Sequence, residues 1–241
     1  MDETDGVARV ELDGLTARGL ADVADGDVEQ FYRRLLEPVF PSVELVTLEQ
    51  LLDSRSRAGA DGVFVFDGDE LVAGVTTQEY CQGRLVLMEY LAVSADARGR
   101  GIGGALVNSV LAKYLPDVPV LGEIEDPRYV TAARGADPVA RVRLYDRLGA
   151  ALVPVPYVQP SLQPGSPRGE DMLLMVWPPR HGLDRQLVVD FLDDYYTSCE
   201  GGDVVANDVA YARLRSACGS GPGRFRLTTF AELTAARPDP S

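Results

Sequence analysis

Residues 98–104 read Arg-Gly-Arg-Gly-Ile-Gly-Gly, set between a strand-like apolar run and a helix-like run. A glycine-rich turn that opens a helix is a ready anion site. Its glycines let the backbone approach a ligand, the first helical amides lack intrahelical partners, and the helix dipole favours negative charge. The ligand these residues imply carries phosphate. The dinucleotide fingerprint G-x-G-x-x-G does not fit, because Gly99, Gly101 and Gly103 have another spacing and follow an antiparallel meander. A Walker loop does not fit either, because no lysine follows. A second feature is the alternation of Glu123 and Glu125 along one strand-like run, which points both carboxylates to one side. Such a pair binds a cation, serves as a base, or is simply a solvated face.

The elements that must position these residues follow from periodicity. A first strand is expected within Ala8, Val10 and Leu12, and Val28, Phe31, Tyr32, Leu35 and Leu36 have helical spacing up to Pro38. Thr47-Leu48-Glu49-Gln50 resembles a capping box opening a helix to about Arg55. Val63–Phe66, the turn Asp67-Gly68-Asp69, Leu71–Thr77, the turn Gln82-Gly83 and Leu85–Val93 form a meander of three antiparallel strands. After the glycine turn come a helix over 103–114, a strand over Val120–Ile124 and a loop over 126–138. A helix over 140–148 then ends at Gly149, and strands follow at 151–155 and Met172–Trp177. Leu183, Leu187, Val188, Phe191, Leu192 and Tyr195 make one apolar stripe, and Val205, Val209 and Ala212 point to a second, short helix. The Phe191/Tyr195/Tyr196 cluster is read as the packed face of an extra helix, with a lid over a binding site or a dimer contact as alternatives. The Gly- and Pro-rich tail 219–241 is expected to fray.

The chain has 241 residues, enough for one large domain or a domain with an appendage, and an ordinary globular composition. Its formal net charge of −14 disfavours nucleic acid and anionic membranes and is compatible with cationic substrates. One histidine, His181, and three scattered cysteines without a CxxC pair argue against a metal site and a disulfide framework. No apolar window reaches a membrane span, and the acidic start lacks the layout of a signal peptide, so a cytoplasmic location is expected.

Arg98, Gly101 and Gly103 occupy the fixed places of R-x-x-G-x-G after Met88-Glu89-Tyr90-Leu91-Ala92-Val93, and Leu144-Tyr145-Asp146-Arg147-Leu148-Gly149-Ala150 stands downstream. Together these motifs resemble the GNAT superfamily of N-acetyltransferases over about residues 7–178. The resemblance implies an α/β fold of α+β type: a mixed, mostly antiparallel sheet flanked by helices. Here that fold would form a domain over 1–180, followed by a C-terminal helical extension and tail over 181–241. It implies acetyl-CoA, or another acyl-CoA, as co-substrate and no metal. The pyrophosphate would lie on Arg98, Gly99, Arg100, Gly101, Ile102, Gly103 and Gly104, and the pantetheine arm along Leu91, Ala92 and Val93. Tyr145 matches the tyrosine that protonates the leaving thiolate. Glu89 matches the carboxylate that takes the amine proton, with Glu123 or Glu125 as further candidates. Glu123, Glu125, Tyr129, Tyr157 and Gln159 are the expected acceptor contacts, although the insertion Asp126–Pro138, with Arg128, Tyr129 and Arg134, departs from the family pattern. The resemblance implies direct acetyl transfer to a primary amine; the inserted loop and helical tail point to a small molecule, and the acidic charge to a cationic one, acted on by a monomer or homodimer. The alternatives are acetylation of protein lysines or N-termini, and a non-catalytic acyl-CoA-binding regulatory module.

Overall fold

Two tight turns organise the sheet. Asp67-Gly68-Asp69 and Cys81-Gln82-Gly83 fold three apolar runs back on one another. In the computed structural model, which describes residues 14–129, 138–178 and 180–235, these runs are β2 (Ala60–Asp67), β3 (Glu70–Tyr80) and β4 (Leu85–Val93). The strand expected within residues 8–12 lies outside the described residues; β1 is Thr16–Gly19, paired with β2. With β5 (Val120–Glu125), β6 (Ala151–Leu152) and β7 (Met172–Trp177), the seven strands take the order β1-β2-β3-β4-β5-β7-β6. Every neighbouring pair is antiparallel except β4–β5. The sheet is therefore mixed and mostly antiparallel, as the resemblance implies. The strand expected over 151–155 is shorter than its apolar run. Val153 still donates to the Leu174 carbonyl, but Pro154 has no N–H to continue the ladder.

The parallel pair holds for three rungs only, Val86↔Val120, Leu87↔Leu121 and Met88↔Gly122. Beyond them β4 continues on β3 and β5 continues on β7, so the two strands part and open a wedge. A bulge lies at the start of the wedge. Thr76 faces Tyr90 and Thr77 faces Met88, which leaves Glu89 as the extra residue. One inserted residue reverses the side-chain parity. Val86 and Met88 before it, and Leu91 and Val93 after it, pack on one face of the sheet, while Leu85, Leu87, Tyr90 and Ala92 pack on the other.

Helices cover both faces. α3 (Ile102–Tyr114) and α4 (Pro138–Arg147) bury Ile102, Leu106, Val142 and Tyr145 on the first face. α1 (Asp25–Gln30), extended by a π-helical turn over Phe31–Leu36, and α2 (Leu48–Ser54) cover part of the second. The capping box at Thr47 is present: its hydroxyl accepts from the Gln50 amide, and the Gln50 side chain accepts from the Thr47 amide. The rest of the second face is covered by α5 (Arg185–Glu200) and α7 (Val209–Gly219), which follow β7 and flank α6 (Gly202–Asn207). Their Val188, Phe191, Leu192 and Leu214 share one core with Leu87, Leu121 and Val176 of the sheet. Over its described residues, up to 235, the tail is more ordered than its composition implies. Phe225 and Phe230 are buried, Arg224 and Thr228 bridge to Asp184 and Leu152, and α8 (Phe230–Ala235) follows.

Candidate active site

The wedge divides the site into a groove, a neck and a chamber. The groove, about 660 Å3, runs from Leu91, Ala92 and Val93 past the glycine turn to the α4 face that carries Leu144 and Tyr145. Gly99 and Gly101 have φ of +80° and +81°, a left-handed backbone that glycine adopts without strain. A side chain at Gly99, Gly101 or Gly104 would project into open space, so the bare backbone is what the groove presents there. The first amides of α3, from Ile102 onward, have no preceding turn to bond. The β5-facing edge of residues 89–93 has no strand partner. A bare amide cradle at a helix N-terminus beside a free strand edge fits a pyrophosphate with an extended amide-bearing arm. These residues therefore fit an acyl-CoA.

Not every residue expected at the cofactor faces the groove. Arg98 lines it, and its Nε donates to the Val93 carbonyl at 3.4 Å. Arg100 points elsewhere and pairs with Asp67 of the β2–β3 turn at 2.9 Å.

The neck connects the wedge to the opposite face of the sheet. Met88, Glu89, Leu91, Glu123, Arg141 and Tyr145 are among its lining residues. Tyr145 faces both groove and neck, and its ring packs edge-on against Trp177 at 5.7 Å. Burial pushes its phenol up to about 12, with the Arg141 charge opposing, so it stays protonated at neutral pH.

The chamber lies beyond the neck, between the α1–α2 segment and α5, and encloses about 70 Å3. Three carboxylates line it: Glu44, Glu89 and Glu123. Glu123 is held by three donors, the hydroxyl of Tyr157, the Gln159 amide at 3.0 Å and the Tyr195 hydroxyl at 3.3 Å. Burial raises its pKa while these hydrogen bonds pull it back down. Glu89 is pushed up to about 7 by burial; the Arg57 cation opposes this and the Glu123 charge adds to it. Glu44, from a short turn at Ser42–Glu44, is likewise raised to about 7, by burial first and then by the charge of Glu125. The aromatic lining comes from Phe40, Tyr80, Tyr90 and Tyr195.

The structure thus brings Glu89, Glu123, Tyr157 and Gln159 together, with Tyr145 at the neck. It places two expected residues apart from them. Glu125 shares a strand face with Glu123, but its carboxylate is taken by Arg141 of α4. Tyr129 is half-exposed and lies against the Arg128 guanidinium; Arg134 falls outside the described residues. Sequence reasoning missed Glu44, Arg57 and Arg141. Glu44 did carry a signal, a lone carboxylate inside the apolar run Val43-Glu44-Leu45-Val46. Arg57 and Arg141 carried none. Among the described residues no group of His, Cys, Asp and Glu is arranged to hold a metal ion, and no helix is long and apolar enough to cross a membrane.

A mixed sheet splayed at the parallel β4–β5 pair, with a glycine-turn helix at the splay, fits an acyl-CoA-dependent acyltransferase. Residues 27–150 match the family model "Acetyltransferase (GNAT) family", more than half of the chain, and the protein belongs to that family of N-acetyltransferases. A putative GNAT acetyltransferase from Bacteroides thetaiotaomicron is similar in fold, with a TM-score of 0.52 and 24% identity over 67% of this chain and 85% of that one. The ribosomal-protein-S18-alanine N-acetyltransferase of Escherichia coli aligns with a TM-score of 0.47 and 16% identity, over 67% of this chain and 92% of that one. Arabidopsis thaliana NAA60, solved in complex with acetyl-CoA, aligns with a TM-score of 0.47 and 18% identity, over 68% and 97%. A search of curated protein sequences finds no match.

Proposed function

We propose that the protein transfers the acetyl group of acetyl-CoA to the primary amine of a small, cationic molecule by direct attack. The observation that carries this reading is the narrow chamber of about 70 Å3, in which three carboxylates sit one neck away from the groove. Its size supports a small amine over a folded polypeptide segment, and its charge supports a cation. Glu123, fixed by its three donors, anchors the ammonium. Glu89 takes the proton that frees the nitrogen lone pair, a task suited to a carboxylate raised to about 7. The nitrogen attacks the thioester carbonyl, backbone donors around Leu91–Val93 hold the oxyanion, and the C–S bond breaks. Tyr145 gives its proton to the departing thiolate. Arg98 and the turn from Gly99 to Gly104 hold the pyrophosphate.

The test is CoA release measured with a thiol reagent, at saturating acetyl-CoA, over a panel of small amines and of lysine- and N-terminus-bearing peptides. Turnover of small amines is expected. Turnover of peptides alone would make the enzyme a protein acetyltransferase, and acetyl-CoA binding without turnover across the panel would make it a regulatory module.

A further inference from the structure

Helix α5 lies outside the matched family region, yet three of its residues, Tyr195, Ser198 and Cys199, form one wall of the chamber. Tyr195 has little freedom there. Its ring stacks on Phe191 at 5.4 Å, meets Tyr80 edge-on at 5.6 Å, and its hydroxyl reaches Glu123. Ser198 and Tyr80 line the chamber and also a wide surface depression on its outer side. The partition between chamber and solvent is therefore one side chain thick at that point. The depression also carries Glu79 and Asp194, the latter accepting the Cys81 amide at 3.0 Å. Tyr80 and Ser198 together close the chamber on that side, and an acceptor held in its space of about 70 Å3 must be slender. It then meets aromatic faces and the chamber carboxylates, a combination that holds ammonium groups, with the Arg57 guanidinium as the one cation among the described residues lining the same chamber.

We infer that α5 selects the acceptor: Tyr195 positions Glu123 as the ammonium anchor, Ser198 and Cys199 set the width of the chamber on that side, and the amine admitted sits on an unbranched carbon chain. This rests on reading the chamber as the amine site.

The experiment uses the full chain with saturating acetyl-CoA and three probes: propylamine, diaminobutane and cyclohexylamine. The wild type should turn over the two straight-chain amines and discriminate at least about tenfold against the ring. Tyr195→Phe, which removes only the hydroxyl, should raise the acceptor KM about tenfold and leave the Kd of acetyl-CoA unchanged. The double change Ser198→Gly with Cys199→Gly should admit cyclohexylamine. Val209→Ala, on the exposed face of α7, should change none of these. Equal turnover of ring and chain by the wild type would overturn the inference, as would a Tyr195→Phe effect on acetyl-CoA affinity.

Failure of the parent reading is kept apart by a second measurement that needs no turnover. Cys199 is labelled with aminoethyl methanethiosulfonate or with its uncharged methyl analogue, and mass spectrometry locates the label. Faster labelling by the cationic reagent, lost in Glu123→Gln, supports a cation-selecting chamber walled by α5 even if no amine is acetylated. Equal rates for the two reagents would overturn it.

Discussion

The Glu89 carboxylate makes the proposed mechanism quantitative. With a pKa of about 7, it is mostly protonated at pH 6 and mostly ionised at pH 8. If the ionised form is the base, kcat/KM for the amine should rise about tenfold between pH 6 and pH 8, with the acid limb centred near pH 7. Glu89→Gln should abolish that limb and cost about a hundredfold to ten-thousandfold, roughly 3–5 kcal/mol of barrier. The charges around Glu89 give two further signs. Arg57 lowers the Glu89 pKa, so Arg57→Gln should move the limb to higher pH. Glu123 raises it, so Glu123→Gln should move the limb to lower pH, on top of its loss of acceptor affinity. Glu44 also lies near 7 and, besides burial and the Glu123 charge it shares with Glu89, it is raised by Glu125 and lowered by Arg141. A limb belonging to Glu44 would follow Arg141→Gln and ignore Arg57→Gln. The assay is the pH profile of CoA release for wild type and these variants at saturating acetyl-CoA. An unchanged limb in Glu89→Gln, or a downward move in Arg57→Gln, refutes the assignment.

Three more outcomes follow from the same geometry. Tyr145→Phe should lower kcat by at least about tenfold and leave the Kd of acetyl-CoA in place, because a phenol raised to about 12 acts on the departing thiolate and not in binding; calorimetry and single-turnover rates separate the two. Gly101→Val places a β-branched residue at φ +81° and pushes its side chain into open space beside the groove. It should weaken acetyl-CoA binding by at least about tenfold and cost roughly 1–2 kcal/mol of stability, read by calorimetry and urea denaturation. Glu44→Gln tests linkage. A native pKa raised from 4.5 to about 7 means the folded chain keeps a proton that the unfolded chain loses, so this group's stabilisation is full below pH 4.5 and lost as pH rises through 7. At about 1.4 kcal/mol for each tenfold in proton affinity, the substitution should relieve up to about 3 kcal/mol at pH 8 and little near pH 4, by urea denaturation at both.

The meander was legible because its turns carry Asp67-Gly68 and Gln82-Gly83 and its strands are continuous apolar runs. The groove was legible because its chemistry is local: one glycine turn, one strand edge and Tyr145. The chamber was legible only in part: Glu89, Glu123, Tyr157 and Gln159 were expected on the acceptor side, but Glu44, Arg57 and the α5 wall were not, because they come from segments far apart in the chain. Glu44, Glu89, Glu123, Gln159 and Tyr195 span more than half the sequence, and only the sheet brings them together. Glu125 shows the same limit from the other side. Its alternation with Glu123 was read correctly, but its partner Arg141 lies 16 residues away, and nothing in the spacing announces an ion pair. Phe225 and Phe230 make the point for the tail: two aromatic anchors outweigh a loop-like composition.

One irregularity in β4 accounts for much of the site. Glu89 is an extra residue in the β3–β4 ladder, and the insertion acts on both sides of it. After the bulge Leu91 and Val93 pack with the α3–α4 side, where they can wall the groove. Tyr90 turns to the opposite face, where its hydroxyl donates to the Glu44 carbonyl at 3.2 Å and accepts the Val46 amide at 3.0 Å. That pair of bonds fixes the turn carrying Glu44, and Tyr32 braces it further by donating to the Val46 carbonyl at 2.9 Å. A single added residue thus sets the neck carboxylate, a wall of the groove and the floor that holds a second carboxylate. Met88-Glu89-Tyr90-Leu91 contains no glycine or proline to mark the bulge, which is why its consequences appear only in the register. Deleting one residue at Glu89 would restore a regular ladder, reverse the parity of Tyr90 through Val93, and dismantle groove and chamber together, a coupled loss that Glu89→Gln does not produce.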